Sequence, residues 1–124
     1  MDKEKIQSAL SSIQKEIPGC MMITLVRFKD GISIANVNTD PKFNVAVASA
    51  NGTHSISTAM KAVQVLNPAL HAEESLLTTE KEYFLIRMWP DRGLWLGLGL
   101  SLDANLGIAR VSINKHLDEV LQNV

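Results

Sequence analysis

Residues 94 to 110 read Leu-Trp-Leu-Gly-Leu-Gly-Leu-Ser-Leu-Asp-Ala-Asn-Leu-Gly-Ile-Ala-Arg. Leucine occupies every second position as far as Leu102, which predicts a strand with one apolar face. The opposite face carries Trp95 and then only small residues, so another element must pack close against it. After this strand the apolar spacing changes to steps of three and four, which predicts a helix that Ser101 or Asp103 can cap.

Outward from this segment, the chain alternates between helix and strand patterns. Asp30-Gly31 is typical of a hairpin turn, and Pro18-Gly19 and Asn67-Pro68 are typical of helix ends. Two short meanders separated by a helix favour an α/β fold of the α+β type, in which one five-stranded antiparallel sheet has helices on both faces. We expect the first and last helices to share one face. The predicted order is α-β-β-α-β-β-β-α, over residues 3–16, 20–28, 32–37, 44–66, 70–79, 82–89, 94–102 and from about 103–105 to the end.

Composition narrows the class of protein. A length of 124 residues fits a single domain, 1–124, and 46% hydrophobic with 20% charged residues is typical of a globular chain. The formal net charge of −1 argues against nucleic-acid binding. Because the chain starts with charged residues, we expect no signal peptide. No run of 18 apolar residues occurs, so we expect no membrane insertion. With Cys20 as the only cysteine, a reducing cytoplasmic location is the simplest interpretation.

The helix predicted at 44–66 and the strand after it have unusual compositions. Small residues fill the first half of the helix, and Gly52 at its middle costs about 1 kcal/mol relative to alanine. We expect the close approach of another backbone to offset that cost. The strand predicted at 70–79 interleaves charged and apolar residues, which is typical of an edge strand that avoids unwanted pairing.

No combination of residues predicts catalysis, a cofactor or a metal site. Gly97-Leu98-Gly99 lacks both the third glycine of a dinucleotide-binding loop and a Gly-Lys-Ser/Thr motif, so it predicts close packing. His54, His71 and His116 are too scattered along the chain for a local metal motif. Cys20 has no neighbouring histidine in the sequence and is interpreted as a buried structural thiol.

Arginine and tryptophan side chains leave two questions open. Four arginines raise the question of an arginine finger on a partner: Arg27, Arg87, Arg92 and Arg110. Arg92 lies in a turn and could reach outward, and Arg110 lies on a helix flank, although no loop is built around any of the four. Trp89 and Trp95 flank the turn at Pro90 and suit equally an anchor at a partner surface or a cap on the core.

The chain resembles the roadblock/LC7 family, whose general architecture is shared with profilin-like and longin domains. The resemblance covers nearly the whole chain. It rests on Ile17-Pro18-Gly19, on Lys29-Asp30-Gly31-Ile32 at the hairpin turn and, most specifically, on Leu98 to Arg110, where the last strand leads into the last helix.

The resemblance implies a binding function without enzymatic activity or a cofactor. Roadblock domains form dimers, with themselves or with a paralogue, by pairing central helices and adjoining edge strands. The dimer is a platform for or regulator of small Ras-like GTPases, or a scaffold in motor and signalling complexes. Carried onto this chain, the resemblance implies an interface of helix residues Val45, Ser49, Gly52, Ile56, Met60 and Val63 and strand residues His71, Glu73, Ser75 and Leu77.

One alternative is a domain of similar α/β architecture that senses a small molecule. It requires a pocket beside the bare face at Gly97 and Gly99, and a central helix packed flat against that face would rule it out. An enzyme has no constellation of residues in its favour.

Overall fold

The computed structural model describes residues 1–124 and has the predicted order of elements. The strands form one antiparallel sheet in the order β2-β1-β5-β4-β3, so the predicted fold class is confirmed. A short 3₁₀ turn, Pro90–Arg92, joins β4 to β5. The elements are α1 Lys3–Glu16, β1 Cys20–Arg27, β2 Ser33–Asn38, α2 Val45–Leu66, β3 Glu74–Thr78, β4 Glu82–Trp89, β5 Leu94–Ser101 and α3 Leu106–Gln122.

Each helix begins at a side chain that accepts a hydrogen bond from a free backbone amide. Asp2 caps α1 and Asn44 caps α2. In α3 the cap is Asn105, whose Oδ1 accepts from the amide of Ile108 at 3.0 Å. The prediction of Ser101 or Asp103 as the cap is therefore wrong. Ser101 still belongs to β5, and its backbone N–H donates to the carbonyl of Gly19 at 2.9 Å.

Three predicted strands are too long. The strand predicted at 20–28 ends at Arg27. Leu102 follows the end of β5 and is exposed, so it does not share the apolar face of the leucines before it. The strand predicted at 70–79 begins only at Glu74, because the turn after Asn67 must first bring the chain back to the sheet. His71 and Glu73 lie in this approach and are exposed.

One face of the sheet carries the larger core. The four leucines of β5 are at most 2% exposed and lie beneath α1 and α3. The predicted pairing of the first and last helices on one face is confirmed, with α1 presenting its apolar stripe of Ile6, Ala9, Leu10 and Ile13 to this core.

The other face carries α2 and a smaller core. Ile56 of α2 packs there with Val26, Met88 and Trp95. The helix lies over the β1 and β2 side of the sheet. Only two of its 22 residues, Ser49 and Ile56, are buried. Most of this long helix is thus left uncovered, and it borders an uncovered part of the sheet.

Candidate functional site

Trp95 makes the closest contacts between the sheet and the middle of α2. The side chain is 3% exposed, and its Nε1–H donates to Oγ1 of Thr53 at 2.9 Å. A Cβ atom on Gly52 would lie 2.7 Å from Cη2 of the indole, and one on Gly97 would lie 2.6 Å from Cζ3. Both glycines therefore make room for one ring. The expectation of a close backbone approach at Gly52 is wrong, because the neighbour is a side chain.

Both tryptophans pack against the chain's own cores. Trp95 belongs to the smaller core and is no surface anchor. Trp89 is half-buried and packs against the larger core. Gly99 faces Phe43, whose Cζ would lie 3.4 Å from an added Cβ atom. The bare face of β5 is thus filled by aromatic rings, as the prediction of close packing requires, although no helix backbone reaches it.

The helix residues of the implied interface face the chain's own sheet. Val45, Ser49, Gly52, Ile56, Met60 and Val63 recur at steps of three and four and form one stripe. Ser49 is 0% exposed, with its hydroxyl 3.2 Å from Oγ1 of Thr24, and Ile56 is 2% exposed. Neither side chain has surface left for a second protein. Any interface on α2 must use the flank beside this stripe or its outer side.

An apolar groove runs between α2 and the part of the same sheet face that β4 forms. Its volume is about 240 Å³. Ala48, Gly52 and Ser55 form the helix flank on one side, while Phe84 and Ile86 of β4 belong to the sheet. The structure therefore has a depression beside Gly97, although the glycine itself is covered by Trp95.

The groove opens onto the edge strand β3. Leu77, a predicted interface residue, lines the groove and is 61% exposed, and Ser75 is half-buried in the same strand. β3 pairs only with β4, so its prediction as an edge strand is confirmed. The groove and a strand with one unpaired side thus form one continuous surface.

A cluster of charges ties β3 to α3. Arg110 Nε lies 3.1 Å from Oε1 of Glu74, and Arg110 Nη2 lies 2.9 Å from Oε2. These hydrogen bonds hold the pKa of Glu74 below its usual range. Arg87 adds an ion pair to Glu74 at 3.6 Å and donates to Oδ1 of Asn114 at 3.0 Å. The start of β3 is therefore fixed in place.

All four candidate arginine fingers are engaged within the chain. Arg27 pairs with Asp30, and Arg87 pairs with Glu74. Arg110 is held by Glu74, and Arg92 donates from Nη2 to the carbonyl of Leu121 at 2.6 Å. An arginine finger must reach out to a partner's phosphates. Each side chain is instead directed into a contact within the chain.

A second polar cluster joins α1 to α3. The carboxylate of Glu16 accepts a hydrogen bond from Ser112 Oγ at 2.7 Å and lies 3.0 Å from both His116 Nε2 and Lys115 Nζ. These contacts lower the pKa of Glu16 to about 2, and the hydrogen bond with Ser112 has the largest effect. A nucleophilic serine requires a base such as histidine to take its proton. Here the hydroxyl of Ser112 and the ring of His116 both bond the carboxylate of Glu16, so Ser112 has no histidine base. The cluster joins two helices.

The remaining candidate groups are structural. Cys20 is buried as predicted, and this burial raises the pKa of its thiol to about 12. No group of three histidine, cysteine or acidic side chains is placed to hold a metal ion. No helix combines the length and apolar composition that crossing a membrane requires.

Comparison with known proteins places this geometry in a described fold. No protein-family model and no curated protein sequence matches the chain. MglB of Myxococcus xanthus matches with a TM-score of 0.84 and 16% identity, over 98% of this chain and 88% of that one. A roadblock/LC7 domain from Streptomyces avermitilis matches with a TM-score of 0.81 and 12% identity, over 92% of each chain. MglC of Myxococcus xanthus gives 0.67 and 21%, over 97% of this chain and 99% of that one.

These likenesses establish the fold. Identities of 12 to 21% are too low to carry a function, because one fold serves many functions. The chain has the roadblock/LC7 fold, as the resemblance of its Leu98 to Arg110 segment indicated.

Proposed function

We propose, on the premise of this fold, that the chain is one non-enzymatic domain, 1–124, that dimerises and serves as a platform for a small Ras-like GTPase or a signalling complex. One observation carries the proposal: an apolar groove and an unpaired strand edge lie side by side on the same surface. We place the domain in the cytoplasm, where the lone thiol of Cys20 stays reduced.

The groove fits protein side chains better than a small molecule. Ligand pockets typically enclose about 300–1,000 Å³ and present several convergent polar groups. This groove holds about 240 Å³, and its polar lining is limited to Thr24 and Ser55. The hydroxyl of Thr24 already lies within hydrogen-bond distance of Ser33, at 2.8 Å. The small-molecule alternative is therefore disfavoured on volume and on chemistry.

A second copy of the chain suits this surface. An isologous dimer needs a patch that is complementary to itself, and an unpaired strand edge meets that need through its alternating donors and acceptors. From Ala48 to Ala62 the flank of α2 beside the groove carries small side chains, which allows a second helix to approach closely. The proposed interface comprises Ala48, Ser55, Ala59 and Ala62 of α2 with Ser75, Leu76 and Leu77 of β3.

The outer side of α2 remains available for a third protein. Val65 and Leu66 are each 85% exposed near the end of the helix, and Val47 near its start is also exposed. Val65 and Leu66 are adjacent, and exposed apolar side chains that are grouped together favour a protein contact. We assign this side to the GTPase, the partner that the fold resemblance implies.

The GTPase contact is tested by recovery of partners from lysate of the native cell. The bait is the full chain, and the lysate is loaded with GDP or with a GTP analogue. Recovery of a GTPase in only one nucleotide state supports regulation, and equal recovery in both supports scaffolding. Each recovered GTPase is then purified and its binding to the chain is measured directly.

Two matched variants locate the contact. Val65→Glu changes the outer side of α2, and Val111→Glu makes the same change at an exposed position of α3 on the opposite face. The proposal expects the first variant to lose the GTPase and the second to keep it. Absence of any GTPase from the wild-type sample, or equal binding by both variants, would contradict it.

A further inference from the structure

A short segment crosses the sheet between β2 and α2, on the face that carries the groove. We call this segment, residues 39–44, the strap. β2 is an edge strand, and β1 and β5 separate it from β4. The side chains of Lys42 and Phe43 nevertheless reach residues of β4. The strap therefore spans the part of this face that lies beyond the start of α2.

The ring of Phe43 fills the end of the groove. It packs edge-to-face on Phe84, with ring centroids 6.0 Å apart, and its Cζ would lie 3.4 Å from a Cβ atom on Gly99. Phe84 also lines the groove, as does Met22, which pairs with Gly99. Phe84, Gly99 and Met22 thus form a subsite that fits an aromatic ring and continues the open groove. We call it the aromatic subsite.

The strap is held by contacts at the surface of the molecule. Lys42 Nζ lies 3.1 Å from Oε2 of Glu82 and 3.6 Å from Oδ2 of Asp40, and the lysine side chain is 50% exposed. Exposed ion pairs contribute little to stability. Phe43 is only half-buried and packs against neither of the two cores. The strap can therefore open locally while both cores stay intact.

Opening of the strap would lengthen the groove. With Phe43 withdrawn, the apolar surface would run from Leu77 on β3 past Phe84 to Gly99 on β5, where no side chain would stand above the glycine. The volume of about 240 Å³ describes only the part that Phe43 leaves open. A ligand that replaces the Phe43 ring gains contacts that the closed strap denies it.

We propose that the strap is an autoinhibitory cover, and that Phe43 occupies the subsite which an aromatic side chain of a partner protein takes when the strap opens. The kind of occupant follows from Phe43 itself, because the aromatic subsite already holds a phenyl ring between Phe84 and Gly99. A closed strap lowers the apparent affinity for such a partner in proportion to the fraction of molecules that are open. The strap acts within one chain, so the proposed dimer is not required for it.

The aromatic subsite is probed with N-acetylphenylalaninamide, which presents a phenyl ring on a short peptide backbone. N-acetylalaninamide is the matched ligand without a ring. Binding is measured from the NMR shifts of the amides of Gly97 and Gly99. Phe43→Ala should bind the phenyl ligand about 10- to 100-fold more tightly than wild type, because the partial burial of Phe43 and its aromatic pair no longer oppose binding. Lys42→Gln only loosens the strap and should gain at most about fivefold.

Phe28→Ala is the matched control variant. Phe28 is also half-buried, but it packs against the smaller core, so its removal should leave the affinity unchanged. In wild type, saturation with the phenyl ligand should displace Phe43 and abolish the nuclear Overhauser contacts between the rings of Phe43 and Phe84. A folded Phe43→Ala variant that does not bind overturns the proposal. A wild type that keeps these ring contacts at saturation also overturns it, because Phe43 is then fixed packing.

The titrations are repeated in the Leu76→Pro background to separate the strap from the proposed dimer. The amide of Met88 donates to the carbonyl of Glu73, so the even-numbered residues of β3 direct their backbone groups to the free edge. Proline at position 76 removes one of these amides. The same ranking of affinities is expected whether or not the chain dimerises. If the ranking is lost in this background, Phe43 acts through the dimer, and the proposal of a cover within one chain is overturned.

Discussion

Replacing Gly52 with alanine should destabilise the chain, although alanine is the better residue for the interior of a helix. The added Cβ atom would lie 2.7 Å from Cη2 and 3.0 Å from Cζ2 of Trp95. The ring has little room to retreat, because Gly97 is packed against it and Thr53 accepts its N–H. The contact therefore forces strain into a buried part of the molecule.

The magnitude follows from two opposing effects. Helix propensity favours alanine by about 1 kcal/mol, whereas overpacking a filled core typically costs about 1–3 kcal/mol. The clash involves a rigid, buried ring, so we take the upper part of that range and expect a net loss of about 1–2 kcal/mol. For a chain of this length the loss corresponds to a decrease in Tm of roughly 4–8 °C.

A double-mutant cycle with Trp95→Phe isolates the contact. Phenylalanine lacks the ring atoms that Gly52 faces, so Gly52→Ala should stabilise the Trp95→Phe background by about 1 kcal/mol. The coupling free energy is then about 2–3 kcal/mol. The free energy of unfolding is measured in urea at one protein concentration, because dimerisation makes stability depend on concentration.

Gly107→Ala is the matched control, since Gly107 is also helical. A Cβ atom there meets only Oδ1 of Asn105, at 3.1 Å. Its effect should be the same in both backgrounds. If Gly52→Ala stabilises the wild-type chain, or if the coupling is zero, the packing of Trp95 against Gly52 is refuted.

Three further predictions concern the carboxylate of Glu16, the thiol of Cys20 and the N-terminal cap of α3. Because the pKa of Glu16 falls from 4.5 to about 2 on folding, its carboxylate stabilises the fold above pH 4.5 and this stability is lost as the pH falls toward 2. Urea midpoints should drop over this range more steeply in wild type than in Glu16→Gln, and equal slopes would contradict the role of the cluster. The Cys20 thiol, whose pKa is raised to about 12, should react with a thiol reagent only after unfolding, and rapid labelling of the native chain would show that it is accessible. Asn105→Ala should cost about 1 kcal/mol in urea unfolding and Asp103→Ala much less, whereas the reverse order would restore the cap predicted from sequence.

The sheet was predictable because its signals are local. Strict alternation of leucine from Leu94 indicates a strand with one buried face whatever lies elsewhere in the chain. The same segment offered Ser101 and Asp103 as caps, and its composition did not single out Asn105. Asn105 caps the helix because Ser101 is still paired in the sheet and bonded to Gly19, which depends on residues more than eighty positions away.

The candidate site was predictable only in part. The interleaved charged and apolar residues of β3 identified it as an edge strand, and the predicted interface residues Ser75 and Leu77 do lie in it. The small residues of α2 were assigned as a group, although they serve two purposes. Gly52 makes room for Trp95, and Ser49 is buried against Thr24, while Ala48 and Ser55 border the open groove. Helical periodicity shows which residues share a face but not what that face contacts.

Self-association through β3 is tested most directly by sedimentation equilibrium of wild type and two proline variants at micromolar concentration. Leu76→Pro removes an outward-facing amide from β3, and Asn36→Pro does the same at the opposite edge, where Asn36 turns its carbonyl outward to Gln7. Circular dichroism checks that both variants are folded. We predict that wild type and Asn36→Pro sediment with twice the mass of one chain and that Leu76→Pro sediments with the mass of one. A monomeric wild type, or a Leu76→Pro variant that dimerises as tightly as wild type, would contradict the account.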